Sequence, residues 1–140
     1  CLGRPWLFRE LTEAFAGLPS TPAPGLHDVV AIMLEHLDLL TDWLGAERGI
    51  REFRKHTGWY LKGFAVGPHV RHSLNQLRGR DQIEAILERF GDEPFPADAG
   101  RLVRGHSHGP KPVALPPDWL TSRDDATPPG VAADAYTSGG

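Results

Sequence analysis

A chain of 140 residues with a single cysteine, Cys1, has no intramolecular disulfide and no zinc cluster built on cysteine, which suits a reducing cytoplasm. Apolar runs are short. None approaches the ~18 residues of a membrane span, and no basic stretch followed by an apolar one marks an export signal. Catalytic signatures are missing too: there is no H-E-x-x-H, no glycine-rich phosphate loop and no G-x-S-x-G elbow. The length excludes a complete barrel enzyme, which needs roughly 250 residues. The chain also opens on Cys1, and its one methionine, Met33, lies inside a helical pattern, which predicts that an N-terminal part is missing.

What the chain does have is helical periodicity and unevenly placed charge. Residues 5–16 read as a helix, with Pro5 in the first turn and Trp6, Leu7, Leu11 and Phe15 at three- and four-residue steps. Gly17 ends it, and three prolines within residues 18–25 predict a linker and domain boundary. Leu26, Val30, Met33, Leu37, Leu40 and Leu44 form one stripe of a long helix over 26–44, stopped by Gly45. Further helices are predicted from about Ile50 to Phe64, from His69 to Leu77, and from Asp81, a candidate N-cap, to Phe90. Short Gly/Pro turns and no strand alternation predict an all-α fold, an antiparallel bundle of about four helices. From residue 93 onward proline and glycine replace apolar periodicity, so 93–140 is expected to be an extended or disordered tail in which only 113–120 (VALPPDWL) is suited to docking.

The formal net charge of −3 conceals a block at 48–80 with eight basic side chains against Glu52 alone. At 100° per residue from Ile50, the side chains of Ile50, Phe53, Thr57, Tyr60, Leu61 and Phe64 share an arc of about 100°, a core-facing stripe. Arg51, Lys62 and Lys55 fall together at about 100–140°, with Arg54 on one flank and Trp59 on the other, and no acid on the line. A solvated helix face is the plain reading. Against it, exposed helices usually intersperse acids four residues from bases, gaining ~0.2–0.5 kcal/mol per pair. A polyanion supplies the missing counter-charge, and an aromatic ring beside cations suits stacking on an exposed base. His69 and His72 lack a third metal ligand, His106 and His108 lie in the Gly/Pro-rich tail, and His36 reads as structural, so no metal and no catalytic residue is assigned.

Gly3-Arg-Pro-Trp-Leu-Phe8, then Arg54-Lys55-His56, Trp59-Tyr60-Leu61-Lys62 and Val70-Arg71, in this order over residues 1–92, resemble the C-terminal part of bacterial tRNA-dihydrouridine synthases. The resemblance implies an enzyme of two parts. A (β/α)8 barrel holds FMN, is reduced by NADPH and passes hydride to the 5,6 double bond of a tRNA uridine, a barrel-loop cysteine giving the proton; a helical domain grips the tRNA. It implies that residues 1–17 end the barrel, 18–25 link, 26–92 bind tRNA and 93–140 exceed the family pattern. Catalytic and cofactor groups would lie outside the chain, leaving it inactive by itself. The tRNA-binding residues are then expected among Arg51, Arg54, Lys55, His56, Trp59, Lys62 and Arg71, with Tyr60 mainly in the core. The competing expectation is a helical protein-interaction module whose basic face meets an acidic partner.

Overall fold

In a computed structural model, describing residues 1–102, 121 and 124, every regular element among the described residues is helical. The chain divides into two units, 1–104 and 105–140, and the helices of the described residues lie in the first. They are α1 (Leu7–Phe15), α2 (Leu26–Leu44), α3 (Ala46–Tyr60), α4 (Gly67–Asn75) and α5 (Asp81–Leu87), followed by a 3₁₀ turn at Ala99–Arg101.

α2 and α3 are joined by Gly45 alone, whose φ of 83° reverses the chain in a region costly for any residue with a Cβ. The two helices run antiparallel: Gly49 lies against the Thr41 backbone, and one turn and a half further on Phe53 and His56 meet His36. The core is formed by Leu26, Val29, Met33 and Leu37 of α2, Phe53, Thr57 and Tyr60 of α3, and Leu74, Leu77, Ile83 and Leu87 from the two short helices and their turn. The arc on α3 is thus buried as the periodicity predicts. On α2 the buried face is centred nearer Val29, with Val30 and Leu40 only partly covered.

Several boundaries differ from expectation. α3 begins at Ala46 rather than Ile50, because one glycine suffices for the reversal, and it ends at Tyr60 rather than Phe64, where Leu61–Phe64 form a turn containing Gly63 at φ 102°. Gly67 and Pro68 open α4 instead of separating it from α3, since proline loses nothing in a first turn. Asp81 is the first residue of α5 and not its cap; Arg80 holds that place without a side-chain capping bond.

The largest difference concerns the two segments expected to lie outside the bundle. Phe95 packs edge-on against Trp6 and Phe64, at 5.5 and 5.8 Å between ring centres, and Ala99 is buried. The Glu93 carbonyl accepts the Leu26 N–H at 2.8 Å and an Asp92 carboxylate oxygen accepts the His27 N–H at 3.0 Å, so α2 is capped from 65 residues away. Residues 93–102 therefore belong to the bundle; apart from 121 and 124 the rest of the expected tail, 113–120 and both tail histidines included, lies outside the described residues. Nor does the 18–25 linker isolate what precedes it. Gly3 sits on the Trp59 and Tyr60 backbone and Trp6 is 6% exposed, while α1 itself buries no residue and packs on no other helix.

Candidate nucleic-acid interface

The seven residues expected to meet RNA separate in the structure into three environments. Arg54 and Arg71 point back into the protein. Arg54 donates from Nε and Nη2 to the Leu77 carbonyl at 2.8 and 2.5 Å, and Arg71 donates from Nη2 to the carbonyls of Leu61 and Phe64 at 3.0 and 3.3 Å. Each guanidinium closes a stretch of chain that has left its helix and has no helical donor for these oxygens. Both guanidiniums thereby hold the turns around α3 and α4 in place.

Arg51, Lys55 and Lys62 make up the second group. Arg51 is exposed and Lys55 and Lys62 half-buried. The line they form is not free of acid, because Glu52 lies three residues before Lys55 and its carboxylate accepts from Nζ at 2.5 Å. Three-residue spacing makes these two neighbours on the helix surface even though the angular plot separates them. A half-buried surface pair of this kind, three residues apart on one helix, contributes on the order of 1 kcal/mol or less. Lys62 lies beyond the end of α3, in the following turn and not on the helix itself, so the angular plot does not extend to it.

His56 and Trp59 are the third and, with the core residue Tyr60, form an aromatic seam between α2 and α3. The His56 ring stands 4.7 Å from that of His36 and 5.0 Å from Trp59, both edge-on, with Phe53 stacked behind at 6.5 Å. The Tyr60 hydroxyl and His36 Nδ1 share a hydrogen bond of 3.0 Å, so Tyr60 is a core residue with a polar tip, as its place on the arc predicts. Burial is the main cause that pushes the His56 pKa down to about 4; His36 and Lys55 add to it and Glu52 opposes it. Burial also lowers that of His36 and raises that of Tyr60 to about 12, with Glu35 contributing. At neutral pH both imidazoles are thus uncharged, each with one donor and one acceptor nitrogen. The seam offers hydrogen bonds and ring faces beside the cations of α3 and adds no charge to them.

Sequence reasoning places Arg80 in the basic block without a role. The structure pairs it with Asp38 of α2 at 3.3 Å and Glu84 of α5 at 2.5 Å. Among the described residues no group of three or more His, Cys, Asp or Glu side chains is arranged to hold a metal, and no helix is long and apolar enough to cross a membrane. His69 and His72 are exposed on α4, where His72 meets Gln76 at 3.1 Å.

The family model for dihydrouridine synthases (Dus) matches residues 1–94. Over its whole length the chain is 45% identical to a protein of Mycobacterium leprae named "Probable tRNA-dihydrouridine synthase" and 44% identical to one of the same name from Mycobacterium tuberculosis. It covers 36% of each, so it spans about a third of the length of these curated relatives. A "tRNA-dihydrouridine synthase B" of Pseudomonas aeruginosa is 39% identical over 88 residues, which are 63% of this chain and 26% of that protein. No solved structure matches.

Proposed function

Because the chain belongs to the dihydrouridine synthase family, we propose that it is the part of a tRNA-dihydrouridine synthase that grips the tRNA while chemistry proceeds in a barrel outside it. The observation that carries this is the family match across both the N-terminal segment and the whole of α2–α5, the elements that hold the cations and the seam. Lys55, Lys62 and Arg51 are assigned to phosphates; Trp59 and His56 to a ribose or an unstacked base, contacts that need ring faces and neutral hydrogen-bonding atoms. Arg54 and Arg71 serve the same surface through the turns they hold.

The exposed face of α1 supports the two-part reading. Phe8, Leu11 and Phe15 recur along one side of this helix, Leu18 follows just beyond its end, and they remain 63, 45, 91 and 58% exposed, a stripe suited to the body of the barrel. FMN, when bound, would supply hydride to the uridine double bond after reduction by NADPH. Within this chain the Arg4 guanidinium is taken up by Glu10, the Gly100 carbonyl and the Phe95 ring, so the N-terminal segment does not fit a flavin phosphate. Both cofactors are therefore assigned outside the chain, which by itself is inactive, and with tRNA as substrate the enzyme is assigned to the cytoplasm.

The test is filter binding of the chain to tRNA and to an acidic polypeptide across a salt series. Log affinity for tRNA should fall linearly with log salt, and Lys55→Ala with Lys62→Ala should flatten that slope by about 0.7–0.9 for each phosphate left without its cation. Unchanged affinity and slope in the double variant sink the assignment. An equal response to polypeptide and tRNA favours the acidic-protein partner instead.

A further inference from the structure

The turn between α4 and α5, residues 76–80, is held more firmly than a surface turn needs to be. Leu77 is 1% exposed, with its side chain in the core and its carbonyl taken by two nitrogens of Arg54 from α3. The next residue, Arg78, has its backbone N–H bound by the Gln82 side-chain oxygen at 2.7 Å. Two residues on, Arg80 is anchored to α2 and α5 through Asp38 and Glu84. Four side chains from three helices, Arg54, Gln82, Asp38 and Glu84, and one bridging arginine thus fix the backbone on both sides of Arg78. That residue is itself a cation: the Arg78 side chain is exposed and meets no carboxylate among the described residues.

The turn also has a definite place. Arg54, which reaches it, lies one turn along α3 from Arg51 and next to Lys55 in the chain, so the turn is tied to the stretch of α3 that carries these cations. Fixing the backbone beneath a long side chain lowers the entropy cost of capturing its head, and the planar guanidinium suits two oxygens of one phosphate. We propose that Arg78 is a second phosphate-contact point for RNA beside Arg51 and Lys55, and that Arg54 is the residue that positions it. The proposal rests on the tRNA-gripping reading above and adds to it a contact from a different element.

The experiment uses the 140-residue chain, bulk tRNA, filter binding over a salt series, and thermal melting of each variant. Arg78→Ala should melt like the parent, bind less tightly, and lower the salt slope by about 0.7–0.9; Arg78→Lys should keep the slope and give up part of the affinity. Arg54→Met should lower the melting temperature and, well below it, weaken binding as much as Arg78→Ala does. Combining the two should then cost no further affinity. A parent chain that binds tRNA with Arg78→Ala matching it in affinity and slope overturns the contact. Full additivity in the double variant, or an Arg54→Met chain that binds like the parent, overturns the positioning role. Should the parent itself show no salt-dependent tRNA binding, the reading beneath fails, and this inference with it.

Discussion

Acid should loosen this bundle through one imidazole. His56 carries a pKa of about 4 in the folded chain against 6.5 in its ordinary state, because the α2–α3 interface strips water from the ring. Above pH 6.5 folded and unfolded chains both hold it neutral, and it makes stability independent of pH. Between 6.5 and about 4 the unfolded chain takes up a proton that the folded chain refuses, so stability falls as the pH falls. At 1.36 kcal/mol per pH unit the ceiling is about 3 kcal/mol, and since the ring is only half-buried, screening by water reduces the expected loss to ~1–2 kcal/mol. The titrating and charged groups around it bear on the result: His36 on α2, whose own pKa is lowered and whose Nδ1 meets the Tyr60 hydroxyl, and Lys55 and Glu52 on α3. The assay is urea unfolding at pH 7 and about pH 4.5 for the parent and for His56→Phe, which keeps a ring in the seam without a titrating group. Carboxylate titration affects both chains alike, so the difference isolates the imidazole. Equal pH dependence in the two would refute the argument.

Other perturbations probe the frame. Phe53→Ala empties the centre of the α2–α3 interface and should cost about 3–5 kcal/mol, read as a shift in the denaturation midpoint. Gly3→Ala places a Cβ 2.2 Å from the Trp59 carbonyl carbon at φ 63°, so it should release the N-terminal segment; increased Trp6 fluorescence quenching by iodide would report this, and unchanged quenching would contradict it. Asp92→Ala removes the distant cap of α2 and should cost about 0.5–2 kcal/mol by thermal melting. Phe15→Ser, at an exposed site on α1, should leave the melting temperature alone while reducing self-association in sedimentation, and a large drop in melting temperature would show that α1 is already covered.

The helices are legible in the sequence because their periodicity is strong, and the buried arc of α3 is the clearest case: Phe53, Thr57, Tyr60, Leu61 and Phe64 are all inside. Less legible is which cations face solvent. Arg54 lies at the edge of the basic line by angle, yet it turns to a carbonyl that becomes available only once α4 has ended nearby, a tertiary circumstance no helical wheel contains. Arg71 is the same case on the 61–64 turn. Residues 93–102 escape a periodic reading for a related reason. One aromatic, Phe95, between two prolines has no period to detect, and its partners Trp6 and Phe64 lie far away in sequence. His36, which reads as merely structural, borders His56, and only the antiparallel pairing of α2 with α3 brings the two rings together.

The bond between the Leu26 amide and the Glu93 carbonyl puts the entrance and the exit of the four-helix segment side by side. A module whose two ends meet can be carried as an appendage, since its host needs to provide only one point of attachment. It follows that the rigidity of the segment is generated within this small body, and that both its ends leave through a single doorway, where Trp6 and Phe95 stand.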